Sequence, residues 1–468
     1  MSTDNTTDET PAQRVISALI NLRDTIDRLM GGSPSRIAIF AFAVVIVFFT
    51  VMLCLPIASQ NGHPIPFHHA LFTATSAVTV TGLTTVTTGT TWTFFGQLMI
   101  LLAFQIGGLG TLTMTSLLAM AVGRKLGLRS RLIAQEAMNV GKLGELGSVL
   151  RTVAITSISI EATIALILIP RFMLLGESFP LSVWHGIFYS ASAFNNAGFT
   201  PHTDGLVPYG HDLWLLLPLC VGVFIGSLGF PVILVIQQNP FKFSRWNLTT
   251  KLTMIGTASL LAIGTILWGL FEWNNPQTIG NLSFSDKFLN AFFASVMTRS
   301  GGFNLVDMGS AHPITLLFTD VLMFIGGGSA STAGGVKITT ITVVILAVLA
   351  EARGDQFVVA FNRTIPDSVL RIAISVIMMS GIIVFLGASA LVLTTGESLD
   401  HVLFEVISAY ATCGLSVGLS ATLPPSGIYV LVVLMFVGRI GIITVATGLA
   451  LRSRRRLYKY PEERPIIG

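Results

Sequence analysis

Charged residues are scarce in this 468-residue chain. Only 11% of its residues are Asp, Glu, Lys or Arg, whereas 52% are hydrophobic. A water-soluble domain of this size needs far more charge on its surface, so the composition excludes a soluble protein and predicts several membrane-spanning segments. The Lys and Arg residues also gather in a few loops instead of spreading along the chain, which argues against binding to nucleic acid.

Cysteine is also rare, and the chain start lacks the pattern of a cleaved signal peptide. Cys54, Cys220 and Cys413 lie in or beside apolar runs, and their odd number argues against a disulfide framework, so we interpret them as small buried side chains. The first residues, MSTDNTTDETPAQ, are acidic and polar where a signal peptide would be basic and then apolar. We expect residues 1–35 to form a cytosolic tail, in which residues 12–30 have the apolar spacing of an amphipathic helix on the membrane or on a partner.

Long apolar runs, by contrast, are abundant. Eight of them reach about 20 residues, the length of a membrane-spanning helix, at residues 37–58, 94–122, 152–175, 212–236, 250–273, 313–349, 368–394 and 427–451. Between the members of each successive pair lies a segment too short to span, at residues 66–79, 182–196, 284–299 and 399–412. Each short segment ends in a glycine motif, which is typical of a re-entrant half-helix.

The basic residues predict the orientation of these segments. Those that follow each pair are Arg124, Lys125, Arg129, Arg131, Lys142, Arg151, Lys242, Arg245, Lys251, Arg353, Arg363, Arg371, Arg452, Arg454, Arg455, Arg456, Lys459 and Arg464. Because Lys and Arg concentrate on the cytosolic side of membrane proteins, we expect these loops and both termini to be cytosolic. All eight histidines fall on the opposite side. A metal site built from His68, His69 and others is the weaker interpretation there, since half-helix starts and loop tips account for them.

The chain contains a fourfold internal repeat. Aligned on one glycine, four segments read SAVTVTGL, SAFNNAGF, VMTRSGGF and SAYATCGL, and the aligned glycines, Gly82, Gly198, Gly302 and Gly414, are spaced by 116, 104 and 112 residues. A second glycine motif follows each by 24 to 28 residues, reading FQIGGLG, FIGSLGF, FIGGGSA and FVGRIGI. Because both glycine motifs recur together about every 110 residues, the chain is predicted to have a repeat architecture.

We therefore predict an all-α membrane protein of four pseudosymmetric helix–pore-loop–helix repeats, with eight spanning helices and four re-entrant half-helices around a central pore. The repeats are predicted at residues 36–145, 146–247, 248–362 and 363–455, followed by a cytosolic tail at residues 456–468. On the axis of such a ring, backbone carbonyls of the glycine turns can replace the hydration shell of a cation. Glycine adopts the required backbone angles at low cost, and each half-helix directs the partial negative charge of its C-terminus at the ion.

A glycine-rich stretch predicts a break in the inner helix of the third repeat. Residues 326–335 contain five glycines together with small Ser, Ala and Thr residues, and irregular backbone at mid-membrane survives only where it lines a water-filled cavity. The stretch also looks like a degenerate phosphate-binding loop, but Ile338 follows Lys337 where that motif requires Ser or Thr, and a membrane helix precedes it. We therefore set the phosphate interpretation aside.

Several charges lie within or beside apolar segments and require partners. Arg299 ends the third half-helix, where we expect it to point away from the cation path and to cap the helix carbonyls. Lys337 and Arg439 must face water or a carbonyl-rich partner. The acidic residues are interpreted as hydrogen-bonded interior groups, with sodium coordination and helix pairing as alternatives; they are Glu161, Asp320 and Glu272.

With these motifs the sequence resembles the Trk, Ktr and HKT family of potassium transporters. The resemblance covers residues 36–455, and its most specific element is FIGGGSASTAGGVKITT at residues 324–340. The chain lacks the extra N-terminal helix pair typical of Trk subunits and is most similar to the KtrB type. The resemblance implies channel-like, sodium-stimulated potassium uptake across the bacterial cytoplasmic membrane by a homodimer with one pore per subunit. It also implies a cytosolic ring of KtrA-type regulatory subunits that bind a nucleotide (ATP or ADP), whereas this chain is expected to bind potassium and sodium ions and no other cofactor.

The same resemblance assigns residue roles. It places the potassium filter at Thr79, Val80, Thr81, Gly82, Asn195, Asn196, Ala197, Gly198, Ser300, Gly301, Gly302, Ala411, Thr412, Cys413 and Gly414. It identifies the glycine-rich stretch as a gating loop, with Gly326, Gly327, Gly328, Ser329, Ala330, Ser331, Thr332, Ala333, Gly334, Gly335, Lys337 and the fourth-repeat Arg439. In plant relatives a serine in place of the first filter glycine accompanies sodium preference, so Gly82 favours potassium. The third turn has two glycines in a row, Gly301 and Gly302, and the fourth has Cys413 before its glycine, where a small residue is expected. These departures leave the details of selectivity open. The resemblance assigns no residues to a sodium site.

Two other classes of function are alternatives. A secondary transporter of another cation or small solute usually has inverted repeats of membrane segments, whereas the four copies here are parallel. A membrane enzyme needs convergent catalytic side chains, and the acids in these segments are scattered, so we expect no enzymatic activity.

Overall fold

The computed structural model describes residues 34–110, 146–240 and 242–451. Residues 1–33 of the predicted N-terminal tail, with its amphipathic helix, lie outside the described residues, as do residues 124–142 of the first basic loop and the C-terminal tail. The described part is mostly helical. Its helices are α1 Pro34–Cys54, α2 Phe67–Val78, α3 Thr88–Thr91, α4 Phe94–Gly108, α5 Leu146–Leu174, α6 Phe179–Phe194, α7 Leu213–Leu228, α8 Phe230–Gln238, α9 Leu248–Glu272, α10 Phe284–Met297, α11 Pro313–Phe324, α12 Ile338–Arg353, α13 Asp367–Thr395, α14 Leu399–Tyr410, α15 Leu419–Thr422 and α16 Pro425–Leu451.

Four short helices precede the glycine turns. α2, α6, α10 and α14 have 12, 16, 14 and 12 residues, too few to cross a bilayer. Three of them follow a serine, which is favoured at a helix start, at Ser178, Ser283 and Ser398, whereas α2 follows Pro66. They lie where the sequence places its four half-helices, with bounds that differ by up to three residues.

These short helices take part in a closed ring of packed helices. Each packs against the long helix before it in the chain, as α2 packs on α1 and α6 on α5. The helix that follows each glycine turn packs in addition on the next short helix along the chain: α4 on α6, α7 on α10 and α11 on α14. The last of this series, α16, packs on α2 and so joins the end of the chain to its beginning.

Long apolar helices surround this ring. Within the described residues, α9, α13 and the Arg151–Leu174 part of α5 are long and apolar enough to cross a membrane, and α7 with α8 makes a fourth candidate. Large apolar side chains stay exposed on them, such as Leu166 (71% exposed), Leu270 (68%) and Leu393 (86%). Such surfaces are stable against lipid rather than water, so the protein is a helical membrane protein.

The second inner helix is bent, which the sequence analysis does not predict. The apolar run at residues 212–236 predicts one continuous span, but the structure divides it into α7 and α8, which meet at 100°. Gly229 at the junction has a φ of 94°, and a side chain there would collide with the Ser329 carbonyl of the loop after α11. The bend thus brings Gly229 against a distant part of the chain, and Gly229 with Pro231 at the start of α8 is a local signal for it that the apolar run obscures.

The third inner helix is interrupted where the glycine-rich stretch predicts a break. α11 ends at Phe324 and α12 begins at Ile338. Residues 325–337 join them as a non-helical loop whose ends are paired through Ile325 and Val336. On the far side of α12, strands β1 (Val359–Ala360) and β2 (Arg363–Thr364) form a small antiparallel hairpin before α13.

Candidate functional site

The four glycines that anchor the sequence repeat lie in contact with one another. An added Cβ at Gly82 would lie 3.1 Å from the Gly198 Cα, and one at Gly198 would lie 2.9 Å from the Gly302 Cα. An added Cβ at Gly302 would lie 3.4 Å from the Gly414 Cα, and one at Gly414 would lie 3.2 Å from the Gly82 Cα. Residues more than 330 positions apart in sequence therefore close a ring of four, and there is no room in it for a side chain.

The four turns share one backbone conformation. The residue two positions before each glycine has a positive φ, at Val80 (57°), Asn196 (59°), Ser300 (72°) and Thr412 (48°). The glycines themselves have φ values of 93°, 68°, 71° and 91° in chain order. A non-glycine residue in this region costs about 1–3 kcal/mol, so the surrounding structure must impose the conformation four times.

A carbonyl oxygen from each turn lies beside the glycine of the neighbouring turn. An added Cβ at Gly82 would lie 2.5 Å from the Ala197 oxygen, and one at Gly302 would lie 2.9 Å from the Cys413 oxygen. The Gly301 oxygen is equally placed beside Gly198, at 3.3 Å, and the Thr81 oxygen beside Gly414. Four equivalent carbonyls thus line the ring of glycines. Within the described residues, no donor is hydrogen-bonded to any of these four oxygens.

The half-helices hold the turns by hydrogen bonds. The Thr81 N–H donates to the Ser76 carbonyl over 2.7 Å, and the same bond joins Ala197 to Ser192 and Cys413 to Ser408. The serine hydroxyls add a second bond: those of Ser76 and Ser408 each accept from the N–H of the ring glycine, both over 3.1 Å. In the second repeat the Ser192 hydroxyl instead donates to the Phe199 carbonyl over 2.9 Å. In all three repeats with the Ser-Ala motif, the serine hydroxyl therefore fixes the turn that follows it.

The second glycine motif packs under the ends of the half-helices. A side chain at Gly107, Gly226 or Gly438 would collide with the last carbonyl of α2, α6 or α14, respectively. In the third repeat, Gly326 instead faces the Gly334 carbonyl of the loop between α11 and α12. The third repeat is therefore the one whose inner helix leaves the common pattern.

The loop at residues 325–337 contacts the turns from one side. Gly334 packs against the Thr412 hydroxyl and the Ala411 carbonyl, so a side chain there would clash with both. The Gly334 N–H lies 3.4 Å from the Ser300 hydroxyl, which in turn donates to the Thr412 carbonyl. The loop therefore lies directly against the third and fourth turns. A cavity of about 570 Å³ opens beside it, lined in part by Phe230, Ser329, Lys337 and Arg439.

Hydrogen bonds fix this loop to α7 and α16, the inner helices of the second and fourth repeats. The Gly328 N–H donates to the Ser227 carbonyl over 2.7 Å, and the Thr332 hydroxyl donates to the Gly226 carbonyl over 2.9 Å. The buried Arg439 guanidinium donates to the Thr332 carbonyl and, over 3.0 Å, to the Gly107 carbonyl.

The two loop-side cations have the carbonyl partners that the sequence analysis requires of them. Arg439 reaches Thr332 and Gly107, as described above. The Lys337 ammonium donates to the Ala333 carbonyl over 2.6 Å, so this charge is held within the loop itself.

Arg299 has a different partner from the one expected. Its position predicts that it caps the carbonyls of its own half-helix, but its guanidinium lies 3.5 Å from the Gly326 carbonyl at the start of the loop. Its side chain is only 3% exposed, and its Nε and Nη1 atoms have no hydrogen-bond partner within the described residues. The broken inner helix brings the Gly326 carbonyl into reach.

The buried acids are mostly hydrogen-bonded, as expected for interior groups. Glu161 accepts from the amides of Gln105 and Asn195, which ties the second turn to the first inner helix. Glu272 accepts from Asn275, Thr278, Thr315 and the His312 N–H. Asp320 differs, since its Oδ1 has no partner within the described residues.

One buried acid beside the fourth turn is not among the residues predicted from the sequence. Glu405 in α14 is fully buried and accepts from Ser416 (2.8 Å) and from the N–H of Ser420 (3.0 Å). It thereby fixes the segment that follows Gly414. An acidic side chain within FEVISAY, the otherwise uncharged C-terminal part of α14, is the signal that could have identified it.

Comparisons with known proteins agree with one another. The model of the TrkH family, described as a cation transport protein, matches residues 35–455. The Ktr system potassium uptake protein B of Bacillus subtilis (strain 168) is 37% identical over 450 residues, which cover 95% of this chain and 99% of the relative. The Ktr system potassium uptake protein B of Vibrio alginolyticus is 38% identical over 444 residues, which cover 94% of this chain and 96% of the relative.

A solved structure has the same fold. The crystal structure of the potassium transporter TrkH from Vibrio parahaemolyticus matches with a TM-score of 0.67 and 18% identity, over 88% of this chain and 84% of that one. Together with the matched family model and the two relatives above 30% identity, this establishes that the chain belongs to the TrkH family of cation transport proteins.

Proposed function

We propose that the protein takes up potassium across the cytoplasmic membrane of a bacterium by a channel-like mechanism. The observation that carries this proposal is the ring of four carbonyl oxygens, from Thr81, Ala197, Gly301 and Cys413, beside the four glycines. Buried carbonyls require a partner, and a dehydrated cation is a partner that a ring of such oxygens binds well. The four turns form the selectivity filter in this proposal, at the centre of four helix–pore-loop–helix repeats.

The backbone conformation supports the filter assignment. In each turn, the ring glycine and the residue two positions before it have left-handed φ values. This alternation directs successive carbonyls toward one side of the turn, as a line of ion sites requires. The N–H groups of the same turns are bound to the half-helices, so the turns present acceptors rather than donors to the axis. The half-helix C-termini end at these turns and favour a cation there.

Potassium is the proposed ion for two reasons. The two Ktr relatives are named potassium uptake proteins, and the ring contains glycine at Gly82, Gly198, Gly302 and Gly414, including the first position, where serine accompanies sodium preference in plant relatives. Glycines form the ring and backbone carbonyls lie beside them, so carbonyl dipoles rather than fixed charges determine selectivity in this proposal.

The loop at residues 325–337 is proposed as the gate. It lies against the third and fourth turns and is held by Arg439, which supports a closed arrangement in the protein alone. The loop has small side chains and little packing to lose, so a second arrangement can differ by only a few kcal/mol. A partner that contacts the two arrangements differently could supply that free energy.

The resemblance to Ktr proteins supplies the proposed assembly. We propose a homodimer with one pore per subunit, both termini in the cytosol, bound to nucleotide-binding regulatory subunits of the KtrA type, and potassium uptake stimulated by sodium. The relatives' names, which describe them as part of a Ktr system, support a multi-component transporter. No residues are assigned to sodium.

Flux measurements test the transport proposal. Purified protein in liposomes with an outward potassium gradient should give a potassium-dependent membrane potential, and the protein should restore growth at low potassium to a bacterial strain without its own uptake systems. A transporter of another cation or of a small solute is the alternative. Uptake of such a solute without potassium flux, or failure to restore growth by protein shown to be in the membrane, would contradict the proposal.

A further inference from the structure

Two histidines and a glutamate meet on the side from which the half-helices enter. The Glu177 carboxylate lies between His185 Nδ1, at 2.8 Å, and His202 Nε2, at 2.9 Å. One ligand atom from each of the three side chains lies within 4.8 Å of the others. The side chains of Glu177, His185 and His202 are 14%, 8% and 19% exposed, so the cluster is sheltered but still has some surface open to solvent.

Three separate stretches of chain converge on this cluster. Glu177 comes from the link between α5 and α6, and His185 from the second turn of α6. His202 lies four residues after Gly198, on the segment that leaves the second glycine turn. The weaker interpretation from sequence names His68 and His69 as candidate ligands. His69 instead lies 2.8 Å from the Thr85 hydroxyl, and His68 is not part of the cluster.

We propose that Glu177, His185 and His202 bind a divalent transition-metal ion of the zinc type from outside the cell. Two imidazoles and one carboxylate form a donor set that zinc favours, at about 2.0–2.2 Å from each ligand atom. Potassium and other hard cations prefer oxygen ligands, so the site differs in chemistry from the ring of carbonyls. A water molecule completes the coordination.

A hydrogen bond behind one ligand supports the assignment. The Tyr189 hydroxyl lies 2.8 Å from His202 Nδ1. Metal-binding histidines usually hold their second ring nitrogen in such a bond, which fixes the ring and leaves the other nitrogen for the metal. With Nδ1 held by Tyr189, Nε2 of His202 faces Glu177, where the metal binds.

Occupancy of the site has a consequence for transport, which rests on the function proposed above. Ligand atoms around a tetrahedral zinc are about 3.4 Å apart, whereas the Glu177 carboxylate lies only 2.8 and 2.9 Å from the ligand nitrogens of the two histidines. Metal binding therefore shifts the three side chains relative to one another and pulls on the segment after Gly198. External zinc lowers potassium flux as a result.

Metal binding to the full-length protein in lipid nanodiscs tests the site without any transport assay. Calorimetric titration with Zn²⁺ should give about one site per chain, and Co²⁺ in its place should give the visible absorption of a four-coordinate ion. Glu177→Gln keeps a hydrogen-bonding side chain between the histidines but removes the charged ligand, and His202→Gln removes an imidazole. Each should weaken zinc binding by at least about tenfold. His63→Gln, an exposed histidine on the same side, is the matched control and should bind as the wild type does.

The outcomes are separable. Wild-type protein without saturable zinc binding, or variants that are monodisperse by gel filtration and bind as tightly as wild type, would mean that the three residues are only hydrogen-bonded to one another, and the site would be rejected. In liposomes, external Zn²⁺ should reduce potassium flux through wild type but not through Glu177→Gln. Zinc that binds without reducing flux would overturn the transport consequence. An absence of potassium flux in wild type without zinc would contradict the proposed function and leave the binding result standing.

Discussion

The guanidinium of Arg439 on the last inner helix donates to the carbonyl of Thr332 in the loop between α11 and α12. The two residues are 107 positions apart, and the bond is buried. A second bond of the same guanidinium, to the Gly107 carbonyl, ties the first inner helix to this contact. One permanently charged side chain therefore joins the loop to two inner helices, at a depth where a charge must have such partners.

Removal of this side chain should open the pathway. In Arg439→Ala the Thr332 carbonyl loses its charged donor, and a hydrogen bond of this type contributes about 1.5–3 kcal/mol. Because a shift of about 1.4 kcal/mol changes an equilibrium tenfold, potassium flux without any regulatory subunit should rise about tenfold or more. Flux into liposomes measures it, with Arg371→Ala, an exposed arginine of α13, as the control that should behave as wild type.

Shortening the loop should act in the same direction. Deletion of residues 329–332 removes the Thr332 carbonyl and the contact between Ser329 and Gly229, so the loop loses its bond to Arg439 and its contact with the bend between α7 and α8. Basal potassium flux should again rise above wild type. If both variants fold, reach the membrane and conduct no more than wild type, residues 325–337 are not the closing element.

The ring glycines should tolerate no side chain. Gly198→Ser and Gly302→Ser place a Cβ about 2.9 Å from the neighbouring glycine Cα, in a region of φ that serine adopts at a cost of about 1–3 kcal/mol. We expect a higher potassium concentration for half-maximal uptake and weaker discrimination against sodium. Gly381→Ser in α13 is the control, since an added Cβ there has nothing within 4 Å. Normal potassium selectivity in all of these variants would refute the filter assignment.

The serines behind the turns should stabilise them. Ser408→Ala leaves the buried Gly414 N–H without its partner at 3.1 Å, which costs about 1–3 kcal/mol. The midpoint of thermal unfolding in detergent should fall, and potassium uptake should lose selectivity, because the N–H belongs to a ring residue. Ser375→Ala loses only an exposed hydroxyl bond to its own helix and should change neither quantity. Equal stability of the two variants would contradict this prediction.

The orientation can be tested with single cysteines at exposed positions. Asn61, Pro208, Asn274 and Glu397 lie in the links on the half-helix side, and cysteines there should react with a membrane-impermeant reagent added to intact cells. Cysteines at Ser244 and Asp355, in links on the other side, should react only after the cells are opened. The background should carry Cys54→Ala and Cys220→Ala, while Cys413 can stay because it is only 1% exposed. Labelling of Ser244→Cys in intact cells would reverse the proposed topology.

The sequence by itself determined the local features of this protein. Apolar runs of sufficient length specify helices in lipid wherever they occur, because backbone groups there must be paired within the segment. The spacing of the glycines predicted where the four turns lie. A residue without a Cβ adopts positive φ at low cost, so Gly82 and its three equivalents allow a turn whatever their neighbours are. The glycine-rich composition of the stretch after Phe324 likewise predicted that the helix is interrupted there.

Tertiary structure decided every feature that joins distant segments. The Ser329 carbonyl fills the space beside Gly229, and Arg299 finds the Gly326 carbonyl only because the third inner helix is broken. Glu177 meets two histidines that no motif connects. Pattern along one segment reports which face is apolar and where the backbone can turn, but not which neighbour occupies the space beside it. Those neighbours are fixed when α16 packs on α2 and closes the ring, since close packing and buried hydrogen bonds then leave each side chain one set of partners.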